Sequence, residues 1–215
     1  MIILLFTVFT ITVFLLESRT NLVSLAVIYL LIVLTSHSRH KLALLLITGI
    51  FGLIFVLANP RTIYFAETIL NKKEVTERQK ERALGRLYFW QSAYEIGMTN
   101  PVFGVGTGDM QRYLYKKYAE RNLVQFMSPE YNAHNQFLEN FGQMGVIGLF
   151  ALLGILGYAL YVAIRDKRLL LLAFLVIEFI NFIFEVPLCR LDGIVFFAFF
   201  LNLLLLIEPF DRQLA

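Results

Sequence analysis

Six apolar runs, at 2–16, 21–35, 42–58, 146–164, 169–187 and 193–207, alternate with polar segments of very unequal length. A helix needs roughly 20 apolar residues to cross the hydrocarbon core of a bilayer. Several of these runs are shorter, and tilt, local thinning or apolar flanks make up the difference. One connection, 59–145, is far too long for a simple link between spans. The pattern predicts an all-α fold: a polytopic membrane helix bundle with about six transmembrane helices. Three lie within 1–58 and three, with a short cytoplasmic tail, within 146–215. The segment 59–145 forms a large helical external loop.

Inside that loop the polar and apolar positions change period. Over 74–97, Leu84, Leu87, Trp90 and Tyr94 recur every three or four residues, which predicts a helix. Arg78, Arg82 and Arg86 are spaced by four and form one ridge of it. Asn100, Pro101 and the glycines of "GVGTG" end it. A second helix is predicted over 109–122, capped by Asp109. Its Tyr113, Tyr115 and Tyr118, with Lys116 and Lys117, suit a membrane-interface surface. After Ser128-Pro129, "AHNQFLENFGQMG" starts a third helix that leads into the span beginning near Val146.

Composition supports this class. Hydrophobic residues make up 58% of the 215, against roughly 45–50% in a soluble domain. Lys and Arg give the sides. Arg39, Lys41, Arg165, Lys167, Arg168 and Arg212 lie in short segments on one side, and only Arg19 and Arg190 on the other. This places the N-terminus in the cytoplasm and the long loop outside; in a bacterial cell, where the membrane is the inner (cytoplasmic) one, outside means the periplasm or cell surface. Basic residues are spread among comparable acids, so nucleic acid is not a partner. The single cysteine excludes an intrachain disulfide framework.

The candidate chemistry is sparse. Arg78 and Arg82 read as a solvated face with i,i+4 ion pairs, or as part of an anion site. Arg86 adjoins the aromatic run Tyr88, Phe89, Trp90, where a guanidinium could present a bidentate fork to phosphate. Arg19, between two apolar runs, reads as a snorkelling arginine or a second anion ligand. "GVGTG" lacks the full phosphate-loop signature and reads better as a tight turn that places the loop helices. His134 is the only histidine outside the cytoplasmic "SHSRH". It is either structural or a general base on a hydroxyl. No His, Cys or carboxylate stands near it at metal-ligand spacing, so no metal is implied. Asn181 reads as a helix-to-helix hydrogen bonder, whereas Glu185 on the outer side could shape a site.

Together "ESRT" (17–20), "RLYFWQSA" (86–93), "NPVFGVGTGDM" (100–110) and "AHNQFLENFGQMGVIGLF" (133–150) resemble the C-terminal half of the O-antigen ligase / O-antigen polymerase family. That family comprises polytopic glycosyltransferases that use undecaprenyl-diphosphate-linked sugars. The ordered set covers residues 17 to about 207. The resemblance implies that Arg19 and Arg86 bind the lipid-linked diphosphate and that His134 is the base or positions the acceptor. Arg82, Asn135 and Glu185 are accessory candidates. No cofactor is implied.

The expected function is transfer of a glycan from undecaprenyl diphosphate to a hydroxyl acceptor in surface polysaccharide biosynthesis, including lipopolysaccharide. The acceptor is lipid A-core, a growing glycan or a protein, which corresponds to a ligase, a polymerase or an oligosaccharyltransferase. Membrane lipid is a further partner. Members of the family carry more spans, so a missing N-terminal half is also an expected partner, and the chain reads as a fragment or one part of a split protein. The rival reading is a non-catalytic fragment, transporter or assembly subunit. A transporter would show inverted repeats, and no convincing repeat stands in this sequence.

Overall fold

The computed structural model describes Val27, Leu46, Gly49, Ile50, residues 77–128 and residues 131–207. For 77–84 and Val124 the description is of the backbone alone. The chain divides into two compact units, Met1–Arg82 and Ala83–Ala215. In the first, Val27, Leu46, Gly49 and Ile50 are helical. The predicted span 2–16 lies outside the described residues, as does most of 21–35 and 42–58.

All regular structure among the described residues is helical. The elements are α1 (Glu77–Thr99), α2 (Met110–Glu120), a 3-10 turn (Val124–Phe126), α3 (Gln136–Arg165), α4 (Leu169–Phe184), a 3-10 turn (Pro187–Cys189) and α5 (Leu191–Leu206). The protein is a helical membrane protein. α3 is long and apolar enough to cross a bilayer, and only 28% of its most apolar stretch is buried inside the protein. A helix that is apolar yet uncovered needs lipid around it. α4 and α5 are apolar but have 16 residues each. At ~1.5 Å per residue that is about 24 Å, short of the ~30 Å core. The run 169–187 is therefore shorter as a helix than as a sequence pattern, because Pro187 sits in a 3-10 turn after α4, whereas α5 covers nearly all of 193–207.

The loop helices have a core of their own. Phe89, Ala93 and Ile96 of α1 and Met110, Leu114 and Tyr118 of α2 follow four- and three-residue steps and are buried together with Leu123, Phe126 and Ala133. Arg121 locks the pair: it donates to Ser92 Oγ at 2.7 Å and to Glu95 Oε1 at 2.6 Å. Two of the three α2 tyrosines differ from the membrane-surface reading, while Tyr113 stays exposed. Tyr118 is fully buried and its hydroxyl donates to the Tyr131 carbonyl, Tyr115 packs on the same core, and Lys117 pairs with Glu95. Aromatic area here is worth more inside the loop than at its surface. Asp109 stands at the α2 N-cap without a side-chain cap bond, because its backbone is helical (φ −98°, ψ −17°) rather than extended.

α3 is two helices end to end. Gly145 breaks it at φ 65°, ψ −158°. In an unbroken helix the carbonyls of Gly142 and Gln143 would take the amides four residues on. Here they accept the amides of Val105 and Gly106, each at 2.9 Å, while Val146 N–H donates to the Pro101 carbonyl at 2.8 Å. The "PVFGVG" turn thus satisfies the groups freed by the kink and fixes α1 and α2 to the mouth of the membrane helix. The Val105 and Gly106 amides are spent on helix carbonyls and the Gly104 amide on Asn100, which favours the turn reading of "GVGTG" over a phosphate cradle.

At the far end Arg168 donates to the carbonyls of Leu204, Leu205 and Ile207. A cation at the open C-terminus of α5 meets both the unpaired carbonyls and the helix dipole.

Candidate active site

The turn Asn132–Asn135 before α3 is held from several sides. Asn132 Oδ1 accepts the His134 amide at 2.9 Å. Glu139 Oε2, one turn into the helix, accepts the Ala133 amide at 3.0 Å. Asn135 is extended at the N-cap. Its Oδ1 accepts Leu138 N–H at 3.0 Å and its Nδ2 donates to the Ile183 carbonyl at 3.1 Å. Gln136 extends the tie to the 3-10 turn after α4 by accepting Leu188 N–H at 2.8 Å. These bonds force His134 into the left-handed region, φ 46°, a conformation that a non-glycine residue holds only when its surroundings impose it.

The His134 ring is stacked against Phe89, with centroids 5.6 Å apart and the planes inclined by 29°. Trp90 Nε1 donates to the His134 carbonyl at 3.2 Å. The ring's Nδ1 is 3.3 Å from Glu185 Oε2. The other oxygen of Glu185 faces Arg86, with Nη2 at 3.7 Å. The Arg86 guanidinium also stands over the Phe184 ring at 5.5 Å. Arg86 and Glu185 are about half exposed, and His134 has 22% of its side chain in solvent.

Burial alone would raise the Glu185 carboxyl. The His134 hydrogen bond and the charges of His134, Arg86 and Arg190 outweigh it, and the carboxyl is held below its ordinary value. The result is an ionised carboxylate shared between an imidazole and a guanidinium. Among the described residues His134 Nε2 has no hydrogen bond, and Arg86 puts one guanidinium nitrogen, Nη2, into an ion pair. The cluster can therefore take a proton at Nε2 and present donors to an anion.

Three sequence candidates, Arg86, His134 and Glu185, meet here, and Asn135 holds the frame. Arg82 lies one turn before Arg86 on α1, where only the backbone is described. Arg19 lies outside the described residues. Sequence reasoning missed Trp90, Phe89, Asn132 and Gln136 as supports. Trp90 was legible in part, being four residues after Arg86 on the same face of α1. Asn132, two before His134, carries the spacing of an Asx turn. No group of three or more His, Cys, Asp or Glu side chains arranged to hold a metal forms among the described residues.

A hollow of ≈ 850 Å³ between α3 and α5 is lined mainly by apolar groups such as Gly148, Leu152, Ile155 and Phe197. It reaches Asn140 and Leu188, beside the Gln136 tie.

A sequence model of the family described as O-antigen ligase matches residues 3–153, well over half of the chain. The matched stretch includes Arg19, Arg86 and His134 and stops before Glu185. No curated protein and no solved structure matches the chain.

Proposed function

The chain belongs to the O-antigen ligase family, and from that premise we propose that it transfers a glycan from undecaprenyl diphosphate to a hydroxyl acceptor at the periplasmic face of the bacterial inner membrane. The coarser statement, a membrane enzyme of the ligase/glycosyltransferase type, rests on the family. The finer one rests on the site.

The observation that carries it is the shared carboxylate: His134 on one oxygen of Glu185 and Arg86 on the other. Glu185 holds the proton of the neutral ring on Nδ1, which leaves the Nε2 lone pair to act as base. The acceptor hydroxyl gives its proton to Nε2 as its oxygen attacks the anomeric carbon. The bond from that carbon to the phosphate oxygen breaks, and the electron pair leaves on undecaprenyl diphosphate. Arg86 stabilises this charge, with Arg19 as the second cation. Glu185 meanwhile stabilises the imidazolium. A polyprenyl tail keeps the diphosphate at headgroup depth, near the junction of loop and membrane helix. The apolar hollow by Leu188 offers the tail a path along α3.

Any hydroxyl fits this chemistry: lipid A-core, a growing glycan or a protein serine or threonine. The test is transfer from undecaprenyl-diphosphate-linked glycan in membranes of cells carrying His134→Ala or Arg86→Ala. Loss of product with normal protein levels is expected in both. Wild-type transfer in both variants would overturn the catalytic reading in favour of an assembly subunit. The product made by the wild type identifies the acceptor.

A further inference from the structure

We infer that the Pro101–Gly104 turn, with Tyr94 and Met98 of α1, is a wedge seated in the headgroup–acyl boundary of the bilayer beside the start of the membrane helix. Three observations carry this inference.

The first is exposure that the fold cannot remove. Phe103 is 69% exposed, Met98 52%, Tyr94 51% and Val102 47%. The backbone holds them outward. Gly104 N–H donates to the Asn100 carbonyl at 2.8 Å, and Gly104, at φ +70°, lies so close to Gln143 that no Cβ would fit. The turn therefore cannot roll its apolar side chains toward α3. Tyr94 and Met98 are four apart on α1 and continue the patch along the helix.

The second is depth. The Pro101 carbonyl takes the amide of Val146, the first residue of α3 beyond the kink. Gly145, in contact with the Val102 backbone, marks where the membrane helix begins. One turn further along α3, Ile147 and Phe150 are 53% and 66% exposed, as lipid-facing residues are. The wedge is tied by backbone to the level at which the chain enters lipid.

The third is charge. From Ile96 to Gly108 no residue is charged, although the loop on either side is rich in charge. An uncharged, aromatic-bearing tip at this depth fits the leaflet boundary, where the ring of Phe or Tyr loses water and no ion is buried. A docking protein would leave the same patch open to water in its absence, whereas a bilayer is always there.

Nitroxide labels at Phe103→Cys and, separately, Lys116→Cys, each in a Cys189→Ser background, distinguish these cases. The protein is placed in phosphatidylethanolamine/phosphatidylglycerol vesicles, and label accessibility to oxygen and to a water-soluble nickel chelate is read by power saturation. Lys116 is exposed on α2 and serves as the aqueous reference. At 103 oxygen access is expected to exceed nickel access, with nickel access several-fold below that at 116. Nickel access at 103 equal to that at 116 overturns the wedge. Exclusion of both reagents at 103 also overturns it, since protein would then cover the site. A Val102→Cys label repeats the measurement if the 103 variant does not fold. None of these readouts depends on glycan transfer.

Discussion

Nδ1 of His134 lies 3.3 Å from Oε2 of Glu185, a contact that spans 51 residues and joins the turn before α3 to the end of α4. The pairing sets a pH prediction. The Glu185 carboxyl is held below its ordinary value: burial opposes the charge, but His134, Arg86 and Arg190 together outweigh it. A carboxyl lowered on folding adds stability that is complete above the unfolded pKa, ~4.3 for Glu, and is lost as pH falls through the folded value. Glu185→Gln should therefore melt below the wild type at neutral pH, and the gap should close in acid. A gap of unchanged size at pH 3, measured by thermal melts in detergent, would contradict this.

Arg86 holds Glu185 at 3.7 Å, longer than a charge-assisted hydrogen bond of roughly 2.7–2.9 Å. The guanidinium is placed by Phe184 as much as by the carboxylate. Its planar fork can shift to a diphosphate without leaving the ring. Arg86→Lys keeps the charge and loses the fork. Transfer should fall about 10-fold in Arg86→Lys and on the order of 10²-fold in Arg86→Ala, the range seen when one stabilising donor is lost. A wild-type rate in Arg86→Lys would mean that charge alone is used, and equal losses in both variants that the fork, not the charge, is what counts.

Trp90 reaches across 44 residues to the His134 carbonyl. Trp90→Phe keeps a ring in α1 and removes only that donor. The bond is worth about 1 kcal/mol of stability, but it also holds a residue at φ 46°. The turnover number is expected to drop with little change in KM for the lipid donor, because ring placement suffers and anion binding does not. A rise in KM with unchanged turnover would assign Trp90 to binding.

Much of the loop was legible in the chain. The helices predicted at 74–97 and 109–122 run Glu77–Thr99 and Met110–Glu120, because apolar spacing and the Asn100-Pro101 break act locally. The start of the membrane segment at Val146 coincides with the kink at Gly145. What was not legible is what tertiary contact decides. The spacing of Tyr113, Tyr115 and Tyr118 does not say which face is buried. The core formed by Phe89 and Leu114 claimed Tyr118. The Glu185 partnership likewise has no local signal, since it arises only when Asn135 and Gln136 draw the end of α4 to the start of α3. The family match stops at 153, before Glu185, so the match did not supply it either.

The two positive-φ glycines at the kink give the most direct test of how the loop is attached. A Cβ at Gly145 would strike the backbone of Pro101 and Val102, and one at Gly104 would strike Gln143 and Met144. Neither obstacle is a flexible side-chain tip. Left-handed backbone costs a non-glycine residue roughly 1–2 kcal/mol before any clash. Gly145→Ala and Gly104→Ala should each therefore destabilise by more than that. Gly157 lies further along the same helix, outside the lining of the apolar hollow, with nothing within 4 Å of an added Cβ. Gly157→Ala should be neutral or stabilising by up to about 1 kcal/mol from helix propensity alone. The ordering matters because the turn that Gly104 shapes delivers α1, and so Arg86 and Trp90, to His134. If the kink glycines are attachment points, their alanine variants lose glycan transfer together with thermal stability, while Gly157→Ala keeps both. Full transfer by Gly145→Ala at wild-type melting temperature would show that the loop reaches the site by some other route.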